Sequence, residues 1–550
     1  MKKQTAVSMD EAVFEQIKET NNCPNRNKPE RLEWLKDAGF GLFIHWTVDS
    51  QLGCVISHSL VGASDDYISR YYHDLPQTFC PDKWDADRLA RLAKTAGIQY
   101  AVFTTKHHNG FCMWDTHTTP FNIMNTPYKQ DIVRSYVDAF RKYGISVGFY
   151  FSPEDFYFLY THGLPITRNP VDPYPPEIMA EYRTYLRAQM EELLTAYGPV
   201  DLMFFDGGEM MKDVNGENLQ DLCKNLAWDL QPDLLITRGA IKTPEQSLPG
   251  VGFSETWEAC LTMSSAWGYQ PTNEIFKTGK HLIRMLVNTR AMGGSLLLNV
   301  GPDYDGHIPQ QQESLLRELA LWTFINREAV VGVRPWSIVR EDNLYLLTDK
   351  SEKTLYVVVL DGKEWKRGER REFVIKSAKA TDVSRCSVLG ASGELTEYRP
   401  DMDTRSKLKQ QSDGLHVSVM NCQRIYCGIE WPNPLVLRIT DVEKAYVPMA
   451  VYSCPEVEQE HENVYLCAHI GTLGSFDKAR VSFEWRVYPG FSMASYDDDW
   501  IQTSSVEVSC PSDVRIPLSG LISGVTYQYR AVISNDMNRM QGEQYLFVRA

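Results

Sequence analysis

Short apolar runs recur along the first 300 or so residues and do not alternate with polar positions. They are "GLFIHW" (41–46), "IQYAVFTT" (98–105), "ISVGFYF" (145–151), "DLMFF" (201–205), "LLITR" (234–238) and "SLLLNV" (295–300). A strand with one wet face alternates, whereas a strand buried on both faces reads as a continuous run. Between the runs the apolar period changes to that of a helix. "DADRLARLAKTAG" (85–97) sets Leu89, Leu92, Ala93 and Ala96 on one face. The segments 131–144 and 181–198 each end in glycine, a helix stop, and 274–294 and 310–328 have the same period. Strand and helix in alternation predict an α/β fold with a parallel sheet, and the length suits a (β/α)₈-type barrel over 1–335.

After Pro335 the pattern shortens. "NLYLLTD", "TLYVVVLDG" and "REFVIKS" are β-rich pieces without a long intervening helix, so 336–441 reads as an antiparallel β-sandwich. A further strand series spans 446–550. Its stretch "LSGLISGVTYQYRAVISN" resembles the late strands of fibronectin type III domains, so this part is expected to be a fibronectin/Ig-like β-sandwich.

The formal net charge of -15 disfavours a nucleic-acid or anionic-membrane partner. No run is long and apolar enough to predict a transmembrane helix. The opening "MKKQTAVSMDEAVFEQ" lacks the apolar centre of a signal peptide. The compartment is therefore unassigned: periplasm or exterior if a leader has been removed, cytoplasm otherwise. Twelve cysteines occur without a CxxC pair, which predicts mainly reduced thiols. Cys422 with Cys427, or Cys467 with Cys510, are candidate pairs for an oxidising compartment. No GxGxxG follows the first strand and no GxxxxGK[ST] occurs, so dinucleotide and P-loop chemistry have no sequence support.

In a (β/α)₈ barrel the working residues stand at the C-terminal strand ends. There the chain presents His45-Trp46, then Lys106-His107-His108-Asn109, then "SPEDF", then Asp206-Gly207-Gly208, then Arg238. "FSETWEACLTMSSAWGYQ" comes next, with Glu255, Glu258, Trp267 and Tyr269. Histidines, carboxylates, an arginine and aromatics converging on one mouth are what a sugar site needs: rings to stack on, and groups to bind hydroxyls. Breaking a glycosidic bond needs two carboxyl groups, one ionised and one protonated. Asp206, driven to the end of an apolar strand and succeeded by two glycines, is the candidate for the ionised one.

The motifs "WLKDAGFGLFIHW", "YAVFTTKHHNGF-CMWDT", "VGFYFSP", "VDLMFFDGG", "WEACLTMSSAWGY" and "TRAMGGSLLLNVGPDYDGHIP" together resemble the family-29 glycoside hydrolases, mainly α-L-fucosidases. The resemblance covers roughly residues 30 to 336. It implies a retaining exo-glycosidase that cleaves α-L-fucosidic bonds of fucosylated glycans through a covalent glycosyl-enzyme. It implies Asp206 as nucleophile and Glu258 as general acid/base, with Glu255 as the neighbouring alternative. His45, His107, His108 and Arg238 match sugar-binding positions, and Trp46, Tyr150 and Trp267 are expected pocket walls. Asn109 stands where the family often has Asp, and Phe204 where a Trp is common. Asp65 is the expected substitute for a sugar-binding Glu. No metal or cofactor is implied. The expected partner is a fucosylated oligosaccharide or glycoconjugate, and oligomerisation is left open. The alternatives are a carbohydrate-binding or adhesion protein without catalysis, and a metal-dependent hydrolase on a barrel.

Overall fold

A computed structural model describes residues 2–8, 23–170, 172–272, 274–360, 365–392, 399–422, 425, 430–431, 433–460, 463–489 and 500–549. The continuous apolar runs form parallel strands: β1 (Phe40–Ile44), β2 (Tyr100–Lys106), β3 (Ser146–Phe151), β4 (Leu202–Phe205), β5 (Leu235–Ile236), β6 (Glu258–Thr262) and β7 (Ser295–Val300). Their order in the sheet is β5-β4-β3-β2-β1-β7-β6. Nearly every position along them is buried, which is the reason the runs do not alternate.

The sheet curls. Phe43, Val102, Tyr150, Phe204, Leu235, Cys260 and Leu297, one from each strand, meet in a single apolar cluster on its inner face. Helix α1 (Pro29–Ala38) sends Leu35 and Ala38 into this inner cluster, and the other helices pack around the sheet: α2 (Asp65–His73), α3 (Ala86–Thr95), α4 (Ile132–Lys142), α5 (Phe156–Thr161), α6 (Pro176–Ala196), α7 (Leu219–Leu230), α8 (Gly279–Ala291) and α9 (Gln310–Asn326). Side-chain caps fix their starts. Asp85 accepts from the Arg88 amide, Asp131 from that of Arg134, and Asn218 from that of Asp221.

Two expectations shift here. "LLITR" contracts to the two residues of β5. "WEACLTM", read as part of a loop, contains a strand: β6 pairs in parallel with β7 in the register Glu258↔Ser295. Glu258 is thus the first residue of its strand, at the end of the sheet opposite the mouth.

Among the β-rich segments Leu344–Thr348 and Leu355–Val359 are again buried throughout, whereas outer strands obey the other rule. Asp513–Leu518 alternates exposed and buried, as a strand with one wet face should. A five-stranded antiparallel sheet (Arg334–Glu341, Leu344–Thr348, Leu355–Val359, Leu435–Lys444 and Ala378–Val388) packs onto the parallel layer. Its Leu346, Val357 and Leu437 belong to the same apolar core as α9, and Trp322 of that helix donates to the Pro434 carbonyl. Two further antiparallel sheets close a separate core around Val457, Leu466, Val481, Phe483 and Tyr529. In it the Tyr527 hydroxyl accepts from the Ile522 amide at 2.9 Å. The N-terminal residues are part of this C-terminal body. Lys2–Thr5 pairs with Glu456–Gln459, and Val7–Ser8 with Tyr545–Leu546.

Cys422, Cys467 and Cys510 are free thiols. Cys427 lies outside the described residues. No helix among the described residues is long and apolar enough to cross a membrane.

Candidate active site

At the C-terminal end of the curled sheet lies a cavity of about 310 Å³. Asp206, the residue after β4, stands in its wall with its side chain 20% exposed. The turn beyond it is possible only with glycine. Gly207 and Gly208 have φ of 84° and 91°, and a Cβ on Gly207 would collide with the Glu154 carboxyl. Glu154 in turn accepts from the Gly208 amide at 3.0 Å, so the loops after β3 and β4 are tied together beneath Asp206.

Four groups converge on the Asp206 carboxylate. The Tyr150 hydroxyl donates to Oδ2 at 2.9 Å. Arg238 Nη1 lies 3.4 Å and Arg168 Nη2 3.5 Å from Oδ1, and His108 Nε2 lies 3.6 Å from Oδ2. Burial alone would raise the Asp206 pKa. The two guanidinium groups overcome it and hold the carboxyl well below its ordinary range. Arg238 also lies over the Phe204 ring, which forms part of the cavity lining and stacks on Tyr150. That contact is what the phenyl ring provides at position 204.

The histidines are held from behind. Asn299 donates its amide to the Trp267 carbonyl, so its oxygen must accept from His45 Nδ1 at 2.6 Å. His45 Nε2 is then a hydrogen-bond acceptor in the neutral ring. Burial pushes the His45 pKa down to about 4 and those of His107 and His108 well below 6.5. His107 stacks on Tyr150 and bonds Ser57, and His108 bonds Ser152. The buried His108 Nε2 has no hydrogen-bond partner of its own. His107, His108 and Asp206 offer ligand atoms within 4.8 Å of one another, the spacing a metal ion would need. Two guanidinium groups already face the same carboxylate, and their charge opposes a cation there.

Of the expected residues, His45, His107, Tyr150, Asp206, Arg238 and Trp267 line one cavity, and His108 lies directly against Asp206. Trp46, Asp65, Glu258 and the alternative Glu255 do not join them. Trp46 is core: it packs on Phe79 and Trp84 and donates to the Asp303 carbonyl. Asp65 is exposed at the start of α2 and does not line the cavity, to which the segment after β1 contributes Val55, Ile56 and His58. Glu258 is buried at the far end of the sheet, where the hydroxyl of Tyr100, the first residue of β2, donates to it at 2.6 Å. Glu255 is exposed just before β6. Neither glutamate lines the cavity of Asp206.

Asn109 is a brace, not a pocket group. It donates to Thr47 and Tyr71 and accepts from the Phe111 amide. The cavity also holds carboxyls to which the sequence pattern assigns no role, one of them in "SPEDF". Glu154 and Glu209 are almost fully buried, and burial raises both, Glu154 to about 7. Glu245 is the more open one, 25% exposed, with Oε2 2.8 Å from Arg238 Nη1. Arg168 reaches in from the loop after α5, pairing with Glu154 at 2.7 Å.

The α-L-fucosidase family model matches residues 6–328. The chain is 29% identical to plasma alpha-L-fucosidase of Rattus norvegicus over 369 residues, covering 59% of this chain and 76% of that protein. It is 28% identical to tissue alpha-L-fucosidase of Mus musculus over 409 residues, 66% and 84% of the two chains. Among solved structures, alpha-L-fucosidase isoenzyme 1 from Paenibacillus thiaminolyticus superposes with a TM-score of 0.60 at 27% identity, covering 76% of this chain and 99% of that one. An alpha-L-fucosidase of Bacteroides thetaiotaomicron, solved as a trapped covalent intermediate with 2-fluoro-fucosyl fluoride, shares the fold at a TM-score of 0.60 and 21% identity, covering 77% and 98%. With a family model that spans more than half the sequence, this chain is a glycoside hydrolase and belongs to the α-L-fucosidase family.

Proposed function

We propose that this enzyme is a retaining exo-α-L-fucosidase with Asp206 as nucleophile and Glu245 as general acid/base. The observation that carries the pairing is the shared nitrogen of Arg238. Its contacts of 3.4 Å to Asp206 and 2.8 Å to Glu245 keep the two nearest carboxyl oxygens within about 6 Å of each other. Retention needs roughly 5–5.5 Å between the carboxyl groups, and inversion needs more. Asp206, ionised and fixed, attacks the anomeric carbon. Glu245, as general acid, delivers a proton to the departing oxygen. It then takes a proton from the water that releases the sugar.

The relative trapped as a covalent intermediate supports the two-step course. His45 Nε2 suits an acceptor role toward a sugar hydroxyl, and Trp267 offers a ring for an apolar sugar face. We read the curled sheet as a (β/α)₈ barrel whose remaining strand is 242–246, which bridges in parallel to the β6 edge at Lys242↔Trp257 and Glu245↔Cys260. The C-terminal body is read as fibronectin type III-like, on the Tyr527–Ile522 bond.

Glu209 is a second reading for the acid, favoured by its raised pKa. It stands three residues from Asp206 on the same loop, whereas the acid has to approach from across the anomeric carbon. The test is hydrolysis of an α-L-fucoside with a sugar aglycone by the wild type and by Asp206→Asn, Glu245→Gln and Glu209→Gln, with the product anomer read by NMR. The proposal expects the α-anomer first and a loss in the first two variants. A β-anomer first, or full activity in Glu245→Gln, overturns it.

A further inference from the structure

The loop that carries Glu245 is not supported by the barrel alone. After Glu245 the chain passes through Gln246, which has a φ of 56°, a conformation a side-chain-bearing residue keeps only when its surroundings enforce it. On the barrel side the enforcement is visible. The Gln246 amide donates to the Cys260 carbonyl at 3.1 Å, and the Thr262 hydroxyl donates to the Gln246 side chain at 3.0 Å. The loop then runs to Gly250, where it meets the C-terminal body.

There Gln541 donates its side-chain amide to the Gly250 carbonyl at 2.7 Å. The Gln544 side chain lies flat on the Gly250 Cα, so that a Cβ at position 250 would come within 2.6 Å of Gln544 Cγ. Gln544 is itself fixed. Arg486, which can only donate, binds the Gln528 oxygen at 2.8 Å, and the Gln528 amide then donates to the Gln544 oxygen at 2.6 Å. Gln528 and Gln544 are almost fully buried. A buried, hydrogen-bonded polar chain of this kind holds one geometry.

We propose that Gln541 and Gln544 of the C-terminal body are positioning residues for the acid/base step: they seat the far end of the 245–250 loop and thereby fix where Glu245 presents its proton. This rests on the reading of Glu245 above. The C-terminal body is then a brace for the catalytic loop. Its own closing strands include Lys2–Ser8, so both chain termini contribute to that brace.

The test exploits leaving-group chemistry in the full-length chain. A fucoside with a sugar or alkyl aglycone needs the proton from the acid, whereas a dinitrophenyl fucoside leaves without it. Gln541→Ala is expected to lower kcat/KM on the sugar aglycone about ten- to a hundredfold, with kcat/KM on the dinitrophenyl fucoside within about twofold. Gly250→Ala, which pushes on Gln544 from the other side, should do the same and serves if Gln541→Ala does not fold. Adding Gln544→Ala to Gly250→Ala removes the collision, so the double variant should be no worse than Gln544→Ala alone. Equal losses on both substrates, or none, overturn the proposal. Glu245→Gln run alongside separates the two failures. If it lacks the leaving-group dependence, the reading of Glu245 falls and the proposal falls with it. If it has the dependence and the brace variants do not, the proposal alone falls.

Discussion

Replacing Glu258 by Gln tests whether this glutamate belongs to the fold or to the chemistry. Burial pushes its carboxyl up to about 7 from an ordinary 4.5, against the hydrogen bond of Tyr100 and the field of Arg238. Ionising it inside the fold therefore costs about 3 kcal/mol more than ionising it in the unfolded chain. Proton counting gives the sign. Between pH 4.5 and 7 the folded state holds more protons at this site than the unfolded state, so stability falls as pH rises. The contribution is complete below the unfolded value and lost as pH passes the folded one. Gln keeps an oxygen for the Tyr100 hydroxyl and cannot ionise. The stability of Glu258→Gln relative to wild type should therefore rise between pH 5 and pH 8, by up to about 3 kcal/mol. Urea unfolding at the two pH values measures it, and activity on a sugar-aglycone fucoside is measured on the same samples. We expect activity within about threefold of wild type, because Glu258 stands at the end of β6 remote from the cavity. A pH-independent stability difference would refute the burial argument. A loss confined to poor leaving groups would return Glu258 to the role of acid.

The remaining predictions concern the cavity. Glu245→Gln should lower kcat/KM on poor leaving groups by about 10²–10⁴ and spare it on good ones, read from initial rates at low substrate on the two substrate types. Arg168→Ala removes one of the two cations that keep Asp206 ionised, so the acid limb of the kcat/KM profile should move to higher pH; an unmoved limb would mean that Arg168 serves only Glu154. Protonating His45 converts its acceptor nitrogen to a donor, so KM should rise as pH falls through about 4 and stay flat above it. Asp65→Ala should leave kcat/KM within about twofold, since its side chain is solvated at the start of α2.

Much of the fold is legible in periodicity because burial on both faces leaves an unmistakable trace. β3, β4, β5 and β7 lie within the predicted runs, β1 and β2 overrun theirs by one residue, and Asp206 is conspicuous as an acid at the C-terminal end of one of them. β6 escapes because "WEACLT" carries Glu and Thr among its apolar positions and does not look continuous. Its glutamate is tolerated inside the sheet by the Tyr100 hydroxyl, a partner 158 residues away in sequence. Reading β6 as a loop puts Glu258 at the wrong end of the sheet.

Glu245 and Arg168 have no local signal for a different reason. Each matters through what it reaches: Arg238 for the first, Asp206 and Glu154 for the second. Those partners are set by how the strand-end loops fold over the mouth. The pairing of Lys2–Ser8 with strands near the other end of the chain is also non-local, and no composition or spacing rule anticipates it.

Covalent trapping tests the central claim most directly. Wild-type enzyme incubated with 2-fluoro-fucosyl fluoride, then digested and mapped by mass spectrometry, should carry one fluorofucosyl group on the peptide that contains Asp206, and Asp206→Asn should carry none. A label on any other residue, or turnover without a label under conditions where release is slow, would contradict the account.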